Sequence, residues 1–255
     1  MKIRKNELIL FLFIIFQIGK ITAQESRFKE DETLNVWAVS GLNMRDKPDA
    51  KAAKVATIPY GAKVSVQPNI GVKIPFEIEE FKGFTVKGYW LLVKYGNTEG
   101  FVFDGFLSRL PAPNLNDKEG MEAYFDKKIG KVGEKFEVRF YDATVDSMRY
   151  ARPNEKYDLD KHDEKRYKQK YKASILLENV DSEGGGGYKI ILPNSTIYEG
   201  YFLVKTFYYD QKTDIFSFNK KEKKVNMTVK DEGAGCYYDI KQEGTKIIID
   251  GGCGC

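Results

Sequence analysis

The chain has 255 residues, of which 42 % are hydrophobic, and this is the composition of a folded protein rather than a disordered one. Its formal charge of +4 is concentrated at the start: without residues 1–23, 37 basic residues stand against 36 acidic ones. Such a balance argues against nucleic acid or an anionic lipid surface as a partner. The chain has a single histidine, His162. This argues against zinc amidases and zinc peptidases, which need two or three histidine ligands, and against Cys–His peptidases, which need a cysteine and a histidine placed together.

Residues 1–23 have the three-part order of a secretory signal. A basic start is followed by an apolar run over 8–18 and by a small residue, Ala23, at the expected cleavage point. The run is shorter than the roughly 20 residues that a membrane-spanning helix needs. We therefore expect an exported protein, periplasmic or extracellular, with no membrane span once the signal is removed. An uncleaved N-terminal anchor is the alternative.

Short apolar runs separated by Gly, Pro, Asn and Asp begin at Leu34 and continue to Leu110. Residues 63–67 alternate between polar and apolar with period two, as a half-buried strand does. Short strands at this spacing predict a small all-β barrel or sandwich over 34–110.

Six blocks in this segment resemble the bacterial SH3 domain, in the order in which that family has them. They are 36–45 (VWAVSGLNMR), 46–49 (DKPD), 54–64 (KVATIPYGAKV), 89–93 (YWLLV), 99–102 (EGFV) and 106–107 (FL). One departure stands out, because 22 residues separate Val66 from Tyr89 where the family usually has a short loop. They are too apolar for a solvated loop, so we expect an inserted hairpin that covers one face or edge of the barrel.

The resemblance implies non-catalytic recognition, since members of this family usually hold a protein on peptidoglycan or on an envelope partner. Aromatic side chains near loop tips would supply the contacts. The candidate binding residues are Tyr60, Tyr89, Trp90, Tyr95 and Phe103. Tyr60 and Tyr95 border glycine turns and are expected to be exposed, whereas a core position is the alternative for Trp90.

A proline-rich linker over 111–116 is expected to separate the barrel from a second domain over 117–255. A capping pattern and an apolar face predict one short helix over 116–129, ended by Gly130. The rest predicts a β-rich domain, an antiparallel sheet or a sandwich, with no repeat of fixed period. The candidate strands are 135–141, 173–180, 188–192, 198–208, 214–218, 224–229, 236–241 and 246–250. The charged stretch 149–172 is interpreted as an exposed excursion, and 184–187 as a flexible glycine turn.

The three cysteines, Cys236, Cys253 and Cys255, flank the turn that joins the last two predicted strands. If the turn is centred between Gly244 and Thr245, Cys236 lies directly opposite Cys253 and within disulfide range. We predict a Cys236–Cys253 disulfide, with Cys236–Cys255 as the alternative. Three thiolates with no histidine nearby make an incomplete zinc set, so no metal is expected.

These observations predict a mainly β protein: an N-terminal SH3-like barrel with an inserted hairpin, followed by a β-rich C-terminal domain with one short helix. The expected function is non-catalytic binding to cell-wall peptide or glycan, or to an envelope protein, with no cofactor. Two alternatives stay open. One is a wall-active glycosidase or other enzyme in the C-terminal domain, targeted by the barrel, and the other is a purely structural protein of the envelope.

Overall fold

The computed structural model of the protein describes residues 27–68, 74–115, 120–138, 165–182, 185–208, 214–231 and 234–254. The expected secretory signal, Cys255 and most of the charged stretch 149–172 lie outside these residues. The architecture is mainly β, as the sequence predicts, and consists of two sheets. The division into domains at 111–116 stays a prediction.

The first sheet is the predicted barrel, and its central path has the strand order β3-β2-β7-β6-β4-β1-β8. Its strands are β1 (Thr33–Val36), β2 (Leu42–Arg45), β3 (Lys54–Ile58), β4 (Lys63–Val66), β5 (Pro75–Phe81), β6 (Phe84–Tyr95), β7 (Thr98–Phe103) and β8 (Leu107–Ser108). Alternate positions on these strands point inward, which is why Leu34, Met44, Val64 and Val93 are buried in one core.

The insertion between Val66 and Tyr89 contains the predicted hairpin. Strand β5 pairs with the first half of β6 from Pro75↔Tyr89 to Phe81↔Phe84, while the second half of β6 pairs with β7 and β4 in the barrel. Strand β6 therefore belongs to both the hairpin and the barrel, and the hairpin is a continuation of the barrel sheet.

The second sheet has the strand order β13-β14-β15-β16-β12-β11-β10-β9, and every pair in it is antiparallel. Its strands are β9 (Lys131–Val138), β10 (Lys165–Tyr171), β11 (Leu176–Ser182), β12 (Gly185–Pro193), β13 (Asp214–Asn219), β14 (Lys224–Asp231), β15 (Ala234–Glu243) and β16 (Lys246–Gly254). The predicted short helix is present as α1 (Gly120–Tyr124) with a π-helical turn (Phe125–Ile129), and Gly130 ends it as expected.

The second sheet contains two halves of the same design. Among the residues that the structure describes, each half is a helix followed by four strands: α1 precedes β9 to β12, and a second helix, α2 (Ile197–Tyr208), precedes β13 to β16. The last strand of each half, β12 and β16, meet as an antiparallel pair at the centre of the sheet. The topology therefore repeats with a two-fold arrangement, although the sequence shows no repeat of fixed period.

The strand predicted over 198–208 is wrong, because these residues form helix α2. The helix begins with a capping box: the backbone N–H of Thr196 donates to Glu199 Oε2 at 2.7 Å, and the N–H of Glu199 donates to Thr196 Oγ1 at 3.3 Å. Tyr198, Tyr201 and Phe202 follow at helical spacing and are all buried. Local capping and this periodicity outweigh the β propensity of the aromatic residues.

Two segments predicted as loops are strands. Residues 165–171, at the end of the charged stretch, form β10, and alternation buries Gln169 and Tyr171 while Lys170 stays exposed. Gly185 to Gly187, predicted as part of a flexible turn, belong to β12 and pair with both β11 and β16. In the first segment the high charge concealed the two-residue period, and in the second the glycines carry no side-chain pattern that would indicate a strand.

Cys236 and Cys253 form the predicted disulfide, with their Cα atoms 4.1 Å apart. They are directly opposite in the β15–β16 ladder, which continues to the pair Glu243↔Lys246 and leaves a two-residue turn, Gly244 and Thr245. Gly244 has a φ of 60°, the left-handed conformation that such a turn needs. The register that the tight turn imposes thus brings the two thiols together.

Replacing both bonded cysteines, Cys236→Ser with Cys253→Ser, should lower the free energy of unfolding by about 3 kcal/mol, because the bridge closes a short loop in the unfolded chain. Guanidinium titration of the protein without residues 1–23, under non-reducing conditions, measures the change. Cys255→Ser is the matched control and should leave the midpoint where it is. Equal midpoints for the double variant and the control would contradict this account.

Candidate binding site

The barrel strands β6 and β7 carry apolar side chains on both faces. Leu91, Val93 and Val102 point into the barrel core. Trp90 and Phe103, at neighbouring positions, point to the opposite side, which would be the outer surface of an isolated barrel. Both are nevertheless buried, at 5 % and 3 % exposure. A second layer of the protein must therefore cover this outer face.

The inserted hairpin provides part of that cover. The ring of Phe76 on β5 lies 5.2 Å from Trp90 and meets Phe103 edge-on at 5.3 Å. Helix α2 provides another part through Tyr198, which packs on Phe106 at 4.9 Å, while Phe106 packs edge-on against Phe103 at 5.2 Å. Trp90 and Phe103 were predicted to contact a ligand, but other parts of the protein bury them. Neither is available to a ligand on the surface.

The tip of the hairpin docks on the second sheet. Phe84 lies 5.4 Å from Tyr201 on α2 and 5.3 Å from Phe218 on β13. Beside this contact, Lys205 forms an ion pair with Glu80 at 3.3 Å. The apolar residues Phe76, Ile78, Phe81, Phe84 and Val86 of the hairpin therefore belong to one continuous core that reaches from the barrel to helix α2 and the second sheet.

Tyr60 has a structural role at the proline-rich segment. Its hydroxyl donates to the carbonyl oxygen of Pro113 at 2.6 Å, and Tyr124 on α1 donates to the carbonyl oxygen of Pro111 at 2.7 Å. Burial raises the pKa of Tyr60 far above its ordinary value. The Tyr60 ring, which was expected to be exposed, is partly buried and lies 6.1 Å from the ring of Phe202. Tyr60 and Tyr124 thus hold the proline-rich segment by one hydrogen bond each.

Tyr89 and Tyr95, like Tyr60, keep part of their surface in solvent. Tyr89 lies opposite Pro75 in the hairpin ladder, next to Ile74, a large apolar residue that is itself exposed. Tyr95 lies opposite Thr98 at the far end of β6 and packs on the barrel core. Tyr89 and Tyr95 are six residue steps apart along the extended strand, a distance of about 20 Å. The five predicted residues thus do not converge on one site.

Asp104 fixes the backbone beside Tyr89. Its carboxylate is buried and accepts a hydrogen bond from the backbone N–H of Tyr89 at 2.7 Å. A Cβ at Gly88 would lie 2.2 Å from this carboxylate, so the contact requires glycine there. Burial raises the pKa of Asp104, while the Tyr89 N–H and the charge of Arg27 oppose the shift.

A polar network that sequence reasoning missed joins the barrel to α2. Glu199 is 3 % exposed, accepts from Ser108 Oγ at 2.5 Å and pairs with Arg27 Nη1 at 3.1 Å. Arg27 also donates to the carbonyl oxygen of Leu107. The T-x-x-E pattern of Thr196 and Glu199 was the available signal, since it marks a helix start.

Residues 40–108 match the family model of the bacterial SH3 domain. The barrel with its inserted hairpin is a bacterial SH3 domain. No curated protein and no solved structure matches the chain. The match covers a segment only, and helix α2 and the second sheet, which bury the outer face of this SH3 domain, lie beyond it.

Two further findings concern the described part of the chain. Within it, no group of three or more His, Cys, Asp or Glu side chains is placed to hold a metal ion. Among the same residues, no helix has the length and apolar character needed to cross a membrane.

The variant Asp104→Asn should become more stable relative to wild type as the pH rises. Because the pKa of Asp104 is raised by folding, its contribution to stability is fully present below its pKa in the unfolded chain and is lost as the pH rises through the folded value. Asparagine has no such proton. Urea unfolding of both proteins from about pH 3.5 to about pH 7 measures the difference, and a difference that stays constant with pH would refute the assignment.

Replacing Glu199 by alanine should lower the free energy of unfolding by about 3 kcal/mol, because Arg27 and Ser108 lose their buried partner and α2 loses its cap. Thermal and urea unfolding measure the loss. Glu77→Ala is the matched control: its ion pair with Lys87, at 3.5 Å, is exposed, so its removal should have no measurable effect. Similar stabilities for the two variants would show that the network does not hold the joint.

Proposed function

We propose that this protein is an exported, non-catalytic binding protein of the bacterial cell envelope, and that its SH3 domain holds it on cell-wall material. The observation that carries the proposal is the match of residues 40–108 to the bacterial SH3 domain, a family of binding modules. The barrel is a rigid scaffold, and partly exposed aromatic residues at its rim offer adhesive area at low entropic cost.

Two features support export. Residues 1–23 have the order of a secretory signal. The Cys236–Cys253 disulfide is of the kind that forms and persists in oxidising compartments such as the periplasm or the extracellular space. Together they favour a location in which peptidoglycan is within reach.

The proposed contact surface is smaller than the sequence suggests. Trp90 and Phe103 are covered by Phe76 of the hairpin and by Phe106, on which Tyr198 of α2 packs. The hydroxyl of Tyr60 is hydrogen-bonded to the carbonyl oxygen of Pro113. Tyr89, with the exposed Ile74 beside its ladder partner, is the residue we assign to wall contact first, and Tyr95 is the second. Such a shallow surface fits wall peptide or glycan held by stacking and packing rather than inside a deep pocket.

Purified sacculi should retain the exported form, and Tyr89→Ala should reduce the retained fraction by about fivefold because it removes an aromatic contact. Tyr95→Ala should give a smaller loss. Val55→Ala is the matched control: Val55 is exposed on β3, and its removal should not change retention. Circular dichroism melting establishes that each variant is folded.

Absence of wild-type enrichment on sacculi would contradict wall binding. Enrichment that Tyr89→Ala and Tyr95→Ala leave unchanged would place the contact elsewhere on the molecule. Clearing of a peptidoglycan zymogram would instead favour the enzyme alternative.

A further inference from the structure

The face of the second sheet that points away from α2 presents an exposed aromatic ring. Helix α2 packs on the inner face, where a Cβ on Gly200 would lie 2.7 Å from the methyl groups of Ile240 and of Ile247. Alternation along β15 therefore buries Tyr238 and Ile240 and turns Tyr237 outward. Tyr237 is 58 % exposed, although it lies on a strand that is paired on both sides.

Glycines leave a flat shelf beside this ring. Gly252 lies directly opposite Tyr237 in the ladder, and Gly187 lies opposite Gly252 on the next strand. Two neighbouring strands without a side chain make a shelf about 10 Å wide. A Cβ on Gly252 would lie 2.8 Å from the carbonyl oxygen of Gly186, and one on Gly187 would lie 2.9 Å from that of Gly251. The close approach of the strands thus keeps the shelf bare.

The backbone that carries the ring and the shelf is held in place by its neighbours. Tyr237 follows Cys236, which is bonded to Cys253 on the neighbouring strand. Strands β15, β16 and β12 are each paired on both sides, so their backbone groups offer no free edge to an added peptide strand. A ligand at this place must therefore use the ring face and the side chains.

The next row of outward side chains is polar and contains two carboxylates. Across four strands it runs Asn226, Asp239, Asp250 and Lys189. Asn226 donates to Asp239, which also pairs with Lys224 at 3.0 Å, and Asp250 is exposed. Lys224 and Lys189 offset the charges of Asp239 and Asp250, so the row suits an uncharged ligand. Its carboxylates accept hydrogen bonds from O–H and amide N–H groups.

We propose that Tyr237, the glycine shelf (Gly187 and Gly252) and Asp250 form a binding site for an uncharged, N-acetylated polysaccharide strand. The apolar face of one sugar ring stacks on Tyr237 while the strand lies along the shelf. Hydroxyl and acetamido N–H groups donate to Asp250. The balanced charges of the row give a phosphate-bearing polymer no electrostatic advantage. This inference rests on the proposed envelope location, but not on binding by the SH3 domain.

The test uses chitohexaose, a peptide-free N-acetylated glycan, and isothermal titration calorimetry of the exported form. Wild type should bind it. Tyr237→Phe, which keeps the ring, should bind within about threefold, and Tyr237→Thr should bind at least about tenfold more weakly. Threonine suits a strand, so the fold should persist, which a melting curve verifies. Thr228→Ala, next to Tyr237 on the same face, is the matched control and should bind as wild type does.

Wild-type protein that does not bind chitohexaose, or Tyr237→Thr that binds as tightly as wild type, would overturn the inference. Sacculus retention separates the two proposals. If the protein does not bind chitohexaose but its retention on sacculi still depends on Tyr89, the inference fails and the SH3 proposal stands. If Tyr237 is needed for glycan binding but Tyr89→Ala leaves the retention on sacculi unchanged, the glycan site would stand and the assignment of wall contact to Tyr89 would fail.

Discussion

Burial of aromatic residues on the outside of the barrel is the interaction on which the rest of the structure depends. Trp90 and Phe103 lie on the far side of strands that already close the barrel core, and each stabilises the fold by about 2 kcal/mol or more only if something covers it. Phe76 and Phe106 supply that cover. The SH3 domain and the second sheet thereby share a core, and Glu199 adds a buried polar link between them.

This shared core separates the two proposed binding surfaces. Tyr89 lies on the SH3 domain beside the hairpin, whereas Tyr237 lies on the outward face of the second sheet, opposite the side that packs against α2. Because the hairpin, α2 and the second sheet form one continuous core, a ligand held at one surface would be presented at a fixed angle to the other. A protein built in this way favours attachment in one orientation over free rotation about a linker.

Sequence patterns predicted the barrel, the hairpin and the disulfide because each rests on local signals. Alternation, turn glycines and the two-residue turn at Gly244 fix register within a few residues. Helix α2 was missed because its tyrosines and phenylalanines favour strands as isolated residues, and only the T-x-x-E start and the helical spacing of the buried aromatic residues indicate a helix. The burial of Trp90 could not be predicted, since it depends on contacts with residues distant along the chain, and the same holds for the exposure of Tyr237.

The central pairing of β12 with β16 has a consequence for how the chain matures. Strand β12 (Gly185–Pro193) has one neighbour, β11, until the segment Lys246–Gly254 arrives more than fifty residues later. Until that segment pairs, the first half of the sheet has an unpaired, glycine-rich edge strand, which is a template for aggregation. Formation of the Cys236–Cys253 bridge would lock the last hairpin in the register that pairs with this edge, and oxidation would thus mark the end of folding.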